Sequence, residues 1–159
     1  MTYSCHDTSV IIAGKKKTCR NKAWRRLAMK LDGFGIMVYD MAAMIRFYRD
    51  VLGFDIKEDE NAANVFLEKD GTLFLLYRKT DFEKMAGRKF TYCSGINGHY
   101  EIALSVENYA AVDKAYAEIT AAGAQGILEP VTEPWGQRTC YVADPEGNLV
   151  EIGSFVKES

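Results

Sequence analysis

Histidine, paired cysteines and long apolar runs are what this sequence has little of. Its 159 residues include only two histidines, His6 and His99. A metal centre built from two histidines and one carboxylate would need both of them. The four cysteines, Cys5, Cys19, Cys93 and Cys140, form no Cys-x-x-Cys pair. That spacing argues against a structural zinc site and against a disulfide framework. Free thiols and the cytoplasm are the resulting expectation, with Cys140 a small core residue inside a strand. The aliphatic run at residues 10–13 is far too short to cross a bilayer. At 48% hydrophobic and 26% charged residues, the composition is that of a globular domain, neither fibrous nor low-complexity.

The net charge of −2 averages two unlike parts. Residues 1–28 carry seven Lys or Arg against Asp7 alone, a net +6, and the remainder carries −8. A nucleic-acid arm is one reading of the basic segment, but the acidic domain behind it opposes phosphate. A secretory signal would place its apolar stretch after the charges, not before them. The expectation is a disordered tail over residues 1–28, with Met29-Lys30-Leu31-Asp32 as a fresh start, and a domain over 29–156. Neither a nucleic acid nor a membrane is an expected partner.

That domain reads as two halves with one order of elements. Residues 31–39 alternate as a strand, with Phe34, Ile36 and Val38 on one face. Asp40 suits a helix N-cap, residues 41–52 follow as a helix, and Gly53 stops it. Strands are expected at 54–58, 64–68 and 72–78, with Asp70-Gly71 a hairpin turn. The second half repeats this: a strand at 99–106, Asn108 as N-cap, a helix over 109–122 stopped by Gly123, then strands at 126–131, 138–143 and 149–153. The halves superpose at an offset of 68, which sets Asp40 over Asn108 and Gly33 over Glu101. The expected fold is α+β. Two βαβββ modules, about 29–90 and 99–156, form one curved eight-stranded mixed sheet with helices outside and a central cleft.

Phe47-Tyr48-Arg49-Asp50-Val51-Leu52-Gly53-Phe54 resembles the helix-end signature of the vicinal oxygen chelate superfamily. So does Pro134-Trp135-Gly136-Gln137-Arg138 with Asp144-Pro145-Glu146-Gly147-Asn148-Leu149-Val150-Glu151-Ile152. That superfamily groups glyoxalase I, bleomycin-resistance proteins, extradiol dioxygenases, fosfomycin-resistance proteins and methylmalonyl-CoA epimerase. The resemblance implies metal ligands at equivalent strand positions: Gly33, about Phe74, Glu101 and Glu151. Only the two glutamates can ligate. No metal or other cofactor is therefore favoured. A divalent ion remains possible on Glu101, Glu151 and His99, which lies two residues from Glu101 on the same strand face.

Glu101 and Glu151 are the candidate catalytic residues. As a close pair they would resist joint ionisation and suit proton transfer or a cationic ligand. The plainer alternative makes them solvated, or partners of Arg78 or Arg138. His99 reads as a strand-end histidine. Gly33, Gly35, Met37 and Tyr39 form the cleft face of the first strand, the glycines leaving room. Phe74, Leu76, Trp135 and Tyr141 are expected as apolar walls, and Arg138 joins the ligand-binding set. Residues 79–98 read as a linker that partly covers the cleft. Three functions follow from this. The first is a binder of a small aromatic or cationic molecule without metal, like the bleomycin-resistance branch. The second is a glyoxalase-like lyase or isomerase acting through Glu101 or Glu151. The third is a dimeric interaction module without ligand. A homodimer fits each.

Overall fold

The computed structural model describes residues 31–158. The basic segment, His6, Cys5 and Cys19 lie outside the described residues.

The first module opens with β1 (Gly33–Val38). The Asp40 carboxylate then accepts the Ala43 N–H at 3.0 Å and starts α1 (Met41–Arg46). The helix loosens into a π-helical turn, Phe47–Val51, in which Leu52 N donates to Phe47 O at 3.0 Å. The wider turn lets consecutive residues Phe47 and Tyr48 both bury their rings. After it come β2 (Asn64–Lys69) and β3 (Thr72–Arg78). The two-residue Asp70-Gly71 turn joins them as expected, with Lys69 paired to Thr72. A helix follows, α2 (Lys79–Ala86). The second module contains β4 (Asn97–Ser105), α3 (Tyr109–Ala121), β5 (Gln125–Thr132), β6 (Arg138–Ala143) and β7 (Asn148–Ser154). Asn108 caps α3 by accepting from Ala111 N at 2.9 Å, the counterpart of Asp40.

In each module the first strand pairs in parallel with the last, β1 with β3 and β4 with β7. Such parallel neighbours need a crossover, and α1 and α3 supply it. The strand orders are β1-β3-β2 and β4-β7-β6-β5. The described residues thus form sheets of three and four strands, where a single eight-stranded sheet was expected. The missing strand is 54–58. Phe54 and Ile56 are buried there, but the Glu58 carboxylate takes the Phe66 N–H at 3.1 Å. That donor on β2 would otherwise be available to a ladder.

One core joins the modules. Ile36, Val38, Met44, Ile45, Tyr48, Phe74 and Leu76 of the first belong to the same buried cluster as Val112, Cys140, Val142, Val150 and Ile152 of the second. Fully buried Tyr48 crosses between them and donates to Asp144 Oδ2 at 3.1 Å. Phe34 of β1 meets Tyr100 of β4 edge-on, with ring centroids 5.2 Å apart. The core, α1 and α3 lie on one side of the sheets. On the other side α2 packs against the first sheet, where Phe82 and Met85 meet Tyr77 of β3, and the second sheet carries no helix among the described residues, leaving that side open.

Candidate functional site

Strand alternation and register decide which side chains reach the open side. In the second module, Glu101, Ala103 and Ser105 of β4 face it, with Leu149 and Glu151 of β7 and Thr139 and Tyr141 of β6. Glu151 sits directly across from Tyr141 on one flank and from Ala103 on the other. Glu101 is therefore its diagonal neighbour.

Uncharged donors hold both carboxylates. Tyr141 Oη donates to Glu101 at 2.9 Å. Thr139 Oγ1 and Gln137 Nε2 donate to Glu151 at 2.8 and 3.1 Å. Gln137 is itself oriented by Trp135, whose indole N–H donates to the amide oxygen at 3.0 Å. Gly153 makes room for this relay, since a Cβ there would stand 2.7 Å from Gln137 Nε2. Neither glutamate has a basic partner among the described residues. Arg138 pairs with Asp113 of α3 at 2.6 Å, and Arg78 donates to the Asn61 and Ala62 carbonyls.

Three expected site residues are displaced from this surface. Phe74 is buried against Tyr48 and Phe54, beneath the helix. The position paired with Gly35 is Leu75, and β1–β3 register makes it the equivalent of Glu151. Leu76 is likewise core. Arg138 points to the helix side, where Asp113 holds it. Gly33 leaves no room: a Cβ there would meet Leu73 O at 2.5 Å, so this glycine marks close strand approach.

Gly35, Met37 and His99 line a different feature, a cleft of about 270 Å³ at the seam of the modules. Lys79, Tyr92 and Asn97 complete its wall, and Tyr39 lies beneath Lys79. The segment after β3 therefore covers part of the seam. Lys79 and Tyr92 lie outside the strands, which is why strand alternation does not single them out.

A metal centre of the implied kind does not fit these residues. Of the four equivalent positions, Gly33 and Leu75 offer no donor atom, and a side chain at Gly33 would collide with β3. No group of three potential ligands is assembled among the described residues.

Burial, followed by the hydrogen bond to Glu101 and the charge of Glu151, raises the Tyr141 hydroxyl well above its ordinary range. Burial, with the charges of Asp144 and Glu146, pushes Tyr100 up to about 12. Tyr48 is raised for the same leading reason. A phenol whose folded pKa exceeds its unfolded one stabilises the fold below the unfolded value and loses that contribution as pH rises through the folded value. Stability should therefore hold to about pH 10 and fall steeply from there to about pH 12. Tyr100→Phe should flatten part of that fall in pH-dependent urea unfolding. An identical alkaline profile in the variant would contradict it.

Paired modules, each with its first and last strands parallel around a crossover helix, define a fold class by their architecture. The chain belongs to the Glyoxalase/Bleomycin resistance protein/Dioxygenase superfamily, whose sequence pattern matches residues 30–152. The uncharacterized protein YwbC of Bacillus subtilis is 31% identical over 127 residues, 79% of this chain and 98% of that protein. A crystal structure of a glyoxalase/bleomycin resistance protein/dioxygenase family enzyme from Burkholderia phytofirmans is 26% identical. It covers 80% of this chain and all of its own, with a TM-score of 0.69. A glyoxalase-related enzyme from Fulvimarina pelagi shares the fold at 23% identity and a TM-score of 0.68, over 78% of this chain and 86% of that one. No helix among the described residues is long and apolar enough to cross a membrane.

Proposed function

We propose that the protein binds a small organic molecule, aromatic or cationic, on the open face of its second module, without a resident metal. The observation that carries this reading is a pair of carboxylates on adjacent strands, each held by uncharged donors and neither by a base. Exposed Trp135 beside them offers a ring for stacking. Such a surface attracts a cation or a hydrogen-bond donor. A cytoplasmic homodimer belongs to the same proposal, and light scattering reads its assembly.

A panel of small aromatic cations should raise the melting temperature with concentration. The double variant Glu101→Gln, Glu151→Gln should weaken the best of them by about tenfold or more, the loss expected when a charged hydrogen-bonding group is removed. Equal affinity in the double variant would remove the carboxylates from the site. Stoichiometric divalent metal in the purified protein would overturn the metal-free part.

A second reading, a lyase or isomerase, draws on the Tyr141 hydroxyl set against Glu101. A protonated phenol beside a carboxylate can relay a proton. In that case Glu101→Gln abolishes turnover and leaves the fold intact. Unchanged turnover would sink it.

A further inference from the structure

Lys79 is a cation in an unusual place. It is 5% exposed and opens α2, at the helix end where positive charge is disfavoured. Its ammonium lies 2.8 Å from the centroid of the Tyr39 ring and 4.0 Å from that of Tyr92. Two aromatic faces offset only part of the cost of taking an ammonium out of water. No carboxylate among the described residues pairs with it. Glu83, one turn along α2, is taken by Lys89 at 2.6 Å and by the Phe90 N–H at 3.2 Å. Glu146 spends Oε1 on the Tyr39 and Asp40 N–H groups at 2.5 and 2.8 Å.

The same cleft holds buried polar atoms without partners. Tyr92 Oη is one and Asn97 Oδ1 is another. The Asn97 amide cannot be turned to relieve this. Asp144 Oδ2 accepts from Asn148 Nδ2 at 2.7 Å, so Asn148 Oδ1 must be an acceptor, and Asn97 Nδ2 and Tyr100 Oη both donate to it at 2.6 Å. Asn97 Oδ1 is thus left as a bare acceptor, and unmet buried groups are costly. Lys79, Tyr92, Asn97 and Glu146 all line this cleft. It therefore brings an unpaired ammonium and a phenol together with an amide oxygen and a carboxylate anchored to the main chain.

We propose that the cleft between the modules binds a small 2-hydroxy or 2-amino carboxylate, its carboxylate on Lys79 and Tyr92 and its neighbouring hydroxyl or ammonium on Asn97 Oδ1 and Glu146. This goes beyond the open-face reading above: it is a second site, on other residues and with its own ligand class. A volume of about 270 Å³ admits a single ring beyond the polar head, against Met37 and Tyr100. An amino acid and a hydroxy acid share the chemistry, and the test separates them.

Mandelate and phenylglycine are the probes, with phenylacetate lacking the donor and mandelamide lacking the charge. Titrations followed by backbone and side-chain amide NMR should show saturable shifts at Lys79, Tyr92 and Asn97 for mandelate or phenylglycine. Phenylacetate and mandelamide should each bind about tenfold more weakly. Lys79→Met, which keeps the stem between the rings, should weaken binding about tenfold or more. Should that variant not fold, Tyr92→Phe keeps the ring under the ammonium and should cost about threefold or more. Unchanged affinity in the folded variant, controls that bind as well as the probes, or no saturable shifts up to about 10 mM, a Kd too weak for a built site, would each overturn the proposal. Loss of small-molecule binding in the Glu101/Glu151 double variant, with Lys79→Met unaffected, would overturn the seam site alone and leave the open-face reading standing.

Discussion

Asp144→Ala is expected to lower stability by about 3–5 kcal/mol, since several buried donors lose their acceptor at about 1–3 kcal/mol each before water relieves them. Asp144 is 4% exposed and receives four donors: the N–H groups of Glu146 and Asn148 at 2.9 Å each, Asn148 Nδ2 at 2.7 Å, and Tyr48 Oη at 3.1 Å. Alanine leaves all four without an acceptor. Water entering the gap recovers part of this, so the sum of four lost bonds would overshoot. Even so, the loss is a large share of the 5–15 kcal/mol that holds a typical domain. Because Tyr48 belongs to the first module and Asp144 to the second, the same change loosens their junction. Tyr48→Phe removes one donor only and should cost about 1 kcal/mol. Urea unfolding of both variants checks the pair. If Asp144→Ala lay within about 1 kcal/mol of the parent, the turn would not be the junction described.

Gly147→Ala, three residues on, is the second large effect, about 2–4 kcal/mol. Its backbone has φ +86, which costs an L-residue about 1 kcal/mol or more. An added Cβ would also stand 2.1 Å from Gly95 O and 2.6 Å from its carbonyl carbon. Both are backbone atoms, so the strain falls on the chain entering β4, where Asn97 N donates to Gly147 O at 2.8 Å. Gly71→Ala is the control. Its φ is +77 with nothing within 4 Å of the added carbon, so it pays the conformational cost alone. The difference in melting temperature between the two variants isolates the close approach. Equal losses would show that the approach carries no strain.

Much of this organisation is legible in the residues. Asp40 and Asn108 cap their helices because a short acceptor side chain precedes an apolar helical run, and both accept from the residue three positions on. The Asp70-Gly71 turn fixes the β2–β3 register through its length. Residues 54–58 look like a strand because apolar and polar residues alternate there. The ladder fails where the Glu58 side chain competes for a main-chain donor, an interaction that periodicity does not contain. In the site, alternation brings Glu101, Tyr141 and Glu151 to one surface. It also separates Arg138 from Tyr141, since residues three apart on a strand face opposite sides. Phe74 depended on a register that only strand pairing supplies. The residues of the seam cleft come from four different segments. Only the folded chain shows that Lys79, Tyr92 and Asn97 are neighbours.

The two modules keep an offset of 68 at their first strands, Gly33 to Glu101, but 76 at their last, where Leu73 corresponds to Leu149. The second module is eight residues longer between those strands. The two halves also differ in what they place on the open face. Gly33 and Leu75 stand in the first copy where Glu101 and Glu151 stand in the second. The first copy has no charge at either position, and its open face keeps only Glu68 of β2, beside Leu73. A repeated order of elements thus ends in two unlike surfaces, and a ligand spanning both halves would meet different chemistry at its two ends.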